Sequence, residues 1–128
     1  MKISKNSEVS CIDHVTPELV KPGMLGTKSV GSDSYACLVV SKPTPKSIYV
    51  IILYDFEQIK AAHPEKFITN EDGIECLNDP EYLEQNQSRG TIYSWRDKRK
   101  AYYAKGDSSH YTGGLRIGRA VSYLDPCF

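Results

Sequence analysis

The stretch YACLVVSKPTPKSIYVIILY, residues 35–54, decides the fold. It contains two apolar runs rich in β-branched residues, 35–42 and 47–54, separated by Pro43-Thr44-Pro45-Lys46. β-branched and aromatic side chains favour strands, whereas closely spaced prolines favour turns. The stretch therefore predicts two strands joined by a proline-containing turn.

Toward the C-terminus, residues 90–105 predict a hairpin, because two sets of side chains alternate along its first arm. These are Ile92, Ser94 and Arg96 on one face and Tyr93 and Trp95 on the other. Residues 97–100 would form the turn and residues 101–105 the returning strand.

A last strand is predicted over residues 115–121. Its alternation places Leu115, Ile117 and Val121 toward the core and Arg116 on the opposite face. Glycines 113 and 114 precede this strand and predict a loop before it.

The N-terminal side carries turn and helix signals. Thr16-Pro17 has the pattern that opens a helical turn, and residues 23–35 predict a hairpin or a wide loop before the central strands. Residues 55–63 fit one or two helical turns, and residues 64–87 predict an acidic loop excursion.

A chain of 128 residues fits one domain. We therefore expect a single domain over residues 1–128, of α+β class and mainly β. It would be a small antiparallel sheet or a partly open barrel with one or two short helices.

Positive charge is concentrated near the C-terminus. All five arginines fall within residues 89–119. Residues 1–54 carry six lysines against four acids, residues 55–84 two lysines against nine acids, and residues 85–128 eight lysines and arginines against three acids. Because the chain is neutral overall, this concentration favours binding of a compact anion over coating of a long polyanion.

Catalytic and metal-binding signatures are absent from the sequence. It contains no GxSxG, Walker or HExxH motif, and its four cysteines form no CxxC pair. We therefore predict neither an enzyme, nor a cofactor, nor a metal site, and we expect reduced thiols. The N-terminus lacks an apolar signal region and the longest apolar run is too short for a membrane span, which predicts a soluble, cytoplasmic protein.

The best candidate site combines aromatic and arginine side chains from three predicted strands. Rings can stack on a nucleobase, and guanidinium groups can hold phosphates. Thr27 adds a hydroxyl in a glycine-flanked segment. The candidate ligand-binding residues are Thr27, Tyr93, Trp95, Arg96, Arg116 and Arg119. The alternative remains open that the rings belong to the core and the charged groups face solvent, as we expect for Arg89 and Arg99.

Short motifs occur in a characteristic order along the chain. They are Gly23-Met24-x-Gly26-Thr27, Ser32-Asp33-x-x-Ala36-Cys37-x-Val39-Val40, the predicted hairpin with its aromatic and arginine residues, Leu115-x-x-Gly118-Arg119 and Tyr123-x-Asp125-Pro126-x-Phe128. In this order they resemble small phage and prophage β-rich proteins, whose motifs read Gly-Met-Gly-Ala-Thr, Ser-Asp-Arg and Asp-Pro-Ser-Phe. Leu25, Ser34 and Cys127 depart from that pattern, and Ser34 stands where the family carries an arginine.

Such small viral proteins are similar to anti-defence sponges, including the Thoeris anti-defence type. Those sponges are oligomers that sequester cyclic nucleotide immune signals without degrading them. The resemblance implies a homo-oligomer with a nucleotide-like ligand, in which Thr27, Arg96, Arg116 and Arg119 hold phosphates. Its place of action would be the host cytoplasm.

A second function is compatible with the same charges. The chain could be a small β-barrel interaction module that binds nucleic acid through its basic hairpin. Its acidic segment could instead occupy the nucleic-acid channel of a host defence protein, as an anti-CRISPR inhibitor does.

Overall fold

The structure is a computed structural model, which describes residues 15–107 and 112–123, with the backbone alone at residues 112 and 113. Eight strands are present in this part of the chain. They are β1 (Leu25–Val30), β2 (Asp33–Thr44), β3 (Ser47–Ile52), β4 (Phe67–Thr69), β5 (Glu75–Leu77), β6 (Thr91–Arg96), β7 (Ala101–Ala104) and β8 (Thr112–Ile117). Two helices, α1 (Phe56–Ala62) and α2 (Pro80–Asn86), are accompanied by short 3₁₀ turns at Pro17–Leu19 and Pro64–Lys66. The described residues include no helix with the length and apolar character that a membrane span needs.

Six strands form a closed antiparallel barrel in the order β1-β2-β3-β6-β7-β8. The central pair is the predicted one, since Leu38 of β2 lies opposite Ile51 of β3. β1 pairs with β2 on one side and with β8 on the other. The predicted mainly β fold is therefore confirmed. The sequence predicted a small antiparallel sheet or a partly open barrel, and the structure shows a closed barrel.

The barrel interior is the first of two hydrophobic cores. Alternate side chains of the barrel strands point into it, as the period of two requires. Its fully buried members include Cys37, Val39, Ile48, Tyr102 and Leu115.

The second core lies outside the barrel, against the outer faces of β1, β2 and β3. Leu25 and Leu38 pack there against Phe56 of α1 and Leu77 of β5. The segment between β3 and β6 therefore covers one wall of the barrel. In the cyclic strand order, β7 lies opposite the covered strand β2.

Two local expectations differ from the structure. Residues 64–87, expected as an acidic loop, contain the hairpin β4–β5 and helix α2, because their apolar residues complete the second core. The last strand was expected over residues 115–121, but β8 runs over Thr112–Ile117 and includes the two glycines that were expected in a loop. It ends before Val121, which is 40% exposed, because the chain leaves the barrel at Gly118. Residues 118–123, here called the strap, then cross the outside of β1 and reach Ser34 of β2.

Candidate ligand-binding cleft

The six predicted site residues occupy two sides of the barrel wall. Tyr93 and Trp95 point into the interior, where Tyr93 is buried and Trp95 packs edge-on against Tyr102 at 5.2 Å between ring centroids. The Trp95 indole nitrogen donates to a carboxylate oxygen of Asp97 at 3.3 Å. Neither ring lies on the same side of the sheet as Arg96, as the alternation itself required.

Arg96 and Arg116 lie together on the outer wall formed by β6, β7 and β8. Arg96 pairs with Ala101, and Tyr102 pairs with Leu115, so the antiparallel register places Ala101 between the two arginines. Two strand spacings separate their Cα atoms by roughly 10 Å. Both side chains are exposed, and the Arg96 guanidinium lies 4.6 Å from the centroid of the Tyr103 ring.

Thr27 and Arg119 meet through the backbone of the strap. The Thr27 hydroxyl donates to the carbonyl oxygen of Arg119 at 2.6 Å and accepts from the amide of Val121 at 3.0 Å. The Arg119 side chain is exposed. In this arrangement the hydroxyl of Thr27 holds the strap onto β1.

A cleft of about 450 Å³ lies elsewhere, at the end of the barrel where β1, β3 and β7 finish, which we call the upper end. It opens between β3, β6 and α2. The polar and aromatic residues that line it are Tyr54, Tyr82, Asn86, Arg89, Thr91 and Tyr93. Tyr93 is the one predicted site residue among them.

The cleft exists because β3 extends beyond its neighbour. Pairing between β3 and β6 ends at Val50 and Thr91, whereas β3 continues to Ile52. Gly90 turns the chain at this point with φ +106°, and a Cβ there would lie 2.8 Å from the carbonyl oxygen of Val50. Only glycine permits that approach, and it places Arg89 at the rim.

Helix α2 supplies the opposite wall. Asp79 caps its first turn by accepting from the amide of Tyr82 at 3.2 Å, and it also pairs with Lys66 at 2.9 Å. The buried Asn86 amide donates to the carbonyl oxygen of Tyr82 at 2.8 Å. Its side-chain oxygen accepts a long, 3.4 Å hydrogen bond from Arg89, which orients the guanidinium weakly.

Charge in the cleft is nearly balanced. Burial raises the pKa of the Tyr82 phenol, the nearby Asp55 carboxylate raises it further, and Arg89 lowers it. Among the lining residues that the structure describes, Arg89 is the single cation. Such a cleft suits a ligand with one negative charge better than one with several.

A charged network contacts the hydroxyl of Tyr93. The Lys28 ammonium donates to the Tyr93 hydroxyl oxygen at 2.9 Å and to Asp107 at 3.3 Å. The other oxygen of Asp107 accepts from the amide of Ala104 at 2.8 Å. Burial lowers the pKa of Lys28, but its contacts with Tyr93 and Asp107 outweigh this and leave the pKa raised.

The cysteines within the described residues are Cys37 and Cys76, and both are free thiols. Burial in the barrel raises the pKa of Cys37 to about 12, although Lys28 opposes this, so its thiolate is scarce at neutral pH. Burial also raises the pKa of Cys76. Residues 15–107 and 112–123 contain no cluster suited to a metal ion. Cys11, Cys127, His14 and His110 lie outside these ranges, as do the last five residues of the terminal motif.

Sequence reasoning missed Tyr54, Tyr82 and Arg89 as cleft residues. Arg89 was expected to face solvent, and it is exposed, but it also lines the cleft. The one local signal was Gly90. A glycine next to a predicted strand is typical of a close backbone approach, and Arg89 directly precedes it.

No family model, curated protein or solved structure matches this chain. The resemblance to phage proteins therefore rests on the short motifs alone.

Proposed function

We propose that this protein binds a small planar anion of the nucleotide class in the cleft between β3, β6 and α2, without catalysis. The observation that carries the proposal is that three tyrosines and the Arg89 guanidinium line one cleft of about 450 Å³. Ligand pockets generally measure about 300–1,000 Å³. Tyr54, which is 79% exposed, offers a ring face for a base, and Arg89 offers paired donors for a phosphate.

The charge of the cleft narrows the ligand class. One arginine with Asp55 nearby supports a cyclic mononucleotide, whose phosphodiester carries one negative charge, over a nucleoside triphosphate. Within residues 15–107 and 112–123, the side chains that line the cleft carry hydroxyls, an amide and a guanidinium, and no carboxylate, imidazole or thiol. This inventory supports binding over acid–base or nucleophilic chemistry.

The resemblance to phage anti-defence sponges gives this binding a biological role. On this proposal, the protein is a phage or prophage product that acts in the host cytoplasm. As a homo-oligomer, it holds a cyclic nucleotide immune signal away from its receptor.

Isothermal titration calorimetry with the four 3′,5′-cyclic mononucleotides, the four nucleoside monophosphates and ATP tests the proposal. We expect Arg89→Ala to lower nucleotide affinity at least about tenfold, which is the usual loss for one charge-assisted contact. Arg99→Ala is the matched control, because Arg99 is exposed in the β6–β7 turn, away from the cleft. Absence of heat with every nucleotide would reject the proposal.

A second candidate function is favoured by the outer wall. Arg96 and Arg116 flank Ala101 on β6–β8, opposite the wall that the acidic segment covers. This arrangement suits an interaction module that presents its basic wall to nucleic acid, or its acidic wall to a host defence protein.

Fluorescence anisotropy with a labelled single-stranded oligonucleotide separates the two functions. Binding by the basic wall should weaken steeply with salt. It should also weaken in the double variant Arg96→Ala/Arg116→Ala, and Arg89→Ala should leave it unchanged. Salt-insensitive binding, or binding that the double variant retains, would exclude this use of the wall.

A further inference from the structure

The hydroxyl of Tyr93 has a restricted role, because its partner Lys28 can only donate. A protonated lysine carries three N–H donors and no acceptor. Nζ of Lys28 lies 2.9 Å from the Tyr93 oxygen and 5.0 Å from the centroid of its ring. The oxygen of Tyr93 must therefore accept, and its own proton remains available for another acceptor.

The neighbouring carboxylate does not take that proton. The hydrogen bonds to Asp107 come from Lys28 and from the amide of Ala104, at 3.3 and 2.8 Å. Within the described residues, no other side chain accepts from Tyr93. Tyr93 is 4% exposed, and the space it lines is the cleft.

We infer that Tyr93 is a specificity-determining hydrogen-bond donor of the cleft, which selects ligands that present an oxyanion beside it. Lys28 and Asp107 are positioning residues, since they fix the direction in which the hydroxyl donates. The inference rests on the proposed ligand site and adds the chemical group of the ligand that the site recognises, an oxyanion. A ligand with a donor or a cation at that position meets a donor and is rejected.

Electrostatics around the phenol agree with this role. Burial raises the pKa of Tyr93, and the hydrogen bond and charge of Lys28 lower it. The group therefore stays protonated at neutral pH, while the ammonium on its oxygen strengthens the donor.

The test compares each 3′,5′-cyclic mononucleotide with its parent nucleoside, which lacks the phosphate, by calorimetry. Tyr93→Phe keeps the ring and removes the donor. We expect it to weaken cyclic nucleotide binding at least about tenfold and to change nucleoside binding less than about twofold. Tyr49→Phe is the matched control, because Tyr49 is 37% exposed on the outer face of β3.

A second variant keeps the test decisive if Tyr93→Phe does not fold. Lys28→Met leaves Tyr93 in place and frees its oxygen, so we expect the preference for cyclic nucleotide over nucleoside to fall at least about threefold. A structural role alone would weaken both ligands equally.

The outcomes separate this inference from the proposed function. If the wild-type protein binds no cyclic mononucleotide and no nucleoside, the proposed function fails and the inference fails with it. If it binds them and both variants keep the wild-type preference, the inference alone is wrong. Equal losses for nucleotide and nucleoside in both variants also overturn it, because they show a purely structural role.

Discussion

Gly90 and Val50 lie in direct backbone contact, since a Cβ on Gly90 would come within 2.8 Å of the Val50 carbonyl oxygen. This contact joins the end of the covering segment to β3 at the cleft, which both residues line. The φ of Gly90, +106°, is a second reason for glycine at this position, because positive φ values are unfavourable for residues with a Cβ.

We expect Gly90→Ala to destabilise the protein more than a glycine substitution in open space. The matched control is Gly106→Ala, because Gly106 has φ +91° and a Cβ added there would meet nothing within 4 Å. Both variants are destabilised by the positive φ. In Gly90→Ala the new Cβ also overlaps with the Val50 carbonyl oxygen. Urea denaturation should show an additional loss of about 1–3 kcal/mol in the free energy of unfolding for Gly90→Ala. Equal losses in the two variants would contradict the contact.

The strands that the sequence predicted are those whose pattern is local. Alternation along residues 91–96 and the apolar runs around Val39 and Val50 are local patterns, so the strands β2, β3 and β6 followed from them. Closure did not follow, because it requires β1 to pair with β8, more than 80 residues away in sequence.

Helix α2 and the cleft show why the rest was missed. Asp79 and Pro80 lie in the segment expected as an acidic loop, but Asp79 is an N-cap and Pro80 the first helical residue. The helix has only seven residues, too few for a clear apolar period. Tyr54, Tyr82 and Arg89 meet only after the second core has formed, so no local pattern could group them.

We expect Thr27→Val to loosen the strap, since valine keeps the shape of threonine and removes its hydroxyl. The carbonyl oxygen of Arg119 and the amide of Val121 would both lose their partner, at a cost of about 1–2 kcal/mol in the free energy of unfolding. Thr69→Val, at an exposed position of β4, is the control.

Hydrogen exchange locates the effect of Thr27→Val. The amide of Val121 should exchange faster in that variant and at the wild-type rate in Thr69→Val. If protection of Val121 is unchanged, the Thr27 hydroxyl does not hold the strap and is free for another role, such as the predicted phosphate contact.

The buried thiol of Cys37 should make stability fall at alkaline pH. Burial raises its pKa from 9.0 to about 12, so the folded state holds the proton more tightly than the unfolded state. This contribution is fully present below pH 9.0 and is lost as pH rises through about 12, with a slope of up to about 1.4 kcal/mol per pH unit.

Denaturation at several pH values between about 8 and about 11 checks the Cys37 prediction. The fall above pH 9 should be shallower in Cys37→Ala than in the wild-type protein, and peptide mapping at about pH 8 should show Cys37 unlabelled by iodoacetamide. Rapid labelling of Cys37 in the folded protein would contradict its burial.

The Lys28–Asp107 pair should show strong coupling in a double-mutant cycle with Lys28→Met and Asp107→Asn. Both side chains are 15% exposed, so either single variant leaves a largely buried charge without its partner. The exposed pair Lys100–Asp97, at 3.8 Å, is the control and should show no measurable coupling. For the buried pair we expect a coupling energy of about 1–2 kcal/mol at neutral pH.

The coupling should persist to high pH. Burial alone would lower the pKa of Lys28, but Tyr93 and Asp107 raise it above the ordinary value of 10.5, so the contribution is present below pH 10.5 and is lost only as pH rises through the higher folded-state value. Chemical denaturation of the four proteins of the cycle at about pH 7 and about pH 9.5 measures this. Lys28→Met also changes the pKa of Cys37 and of Tyr93, but it does so in both the single and the double variant, so this contribution cancels in the cycle where the two substitutions act additively. Loss of the coupling already at the higher of these two pH values would show that Lys28 is not held as an ammonium, and Tyr93 would then not be confined to donating.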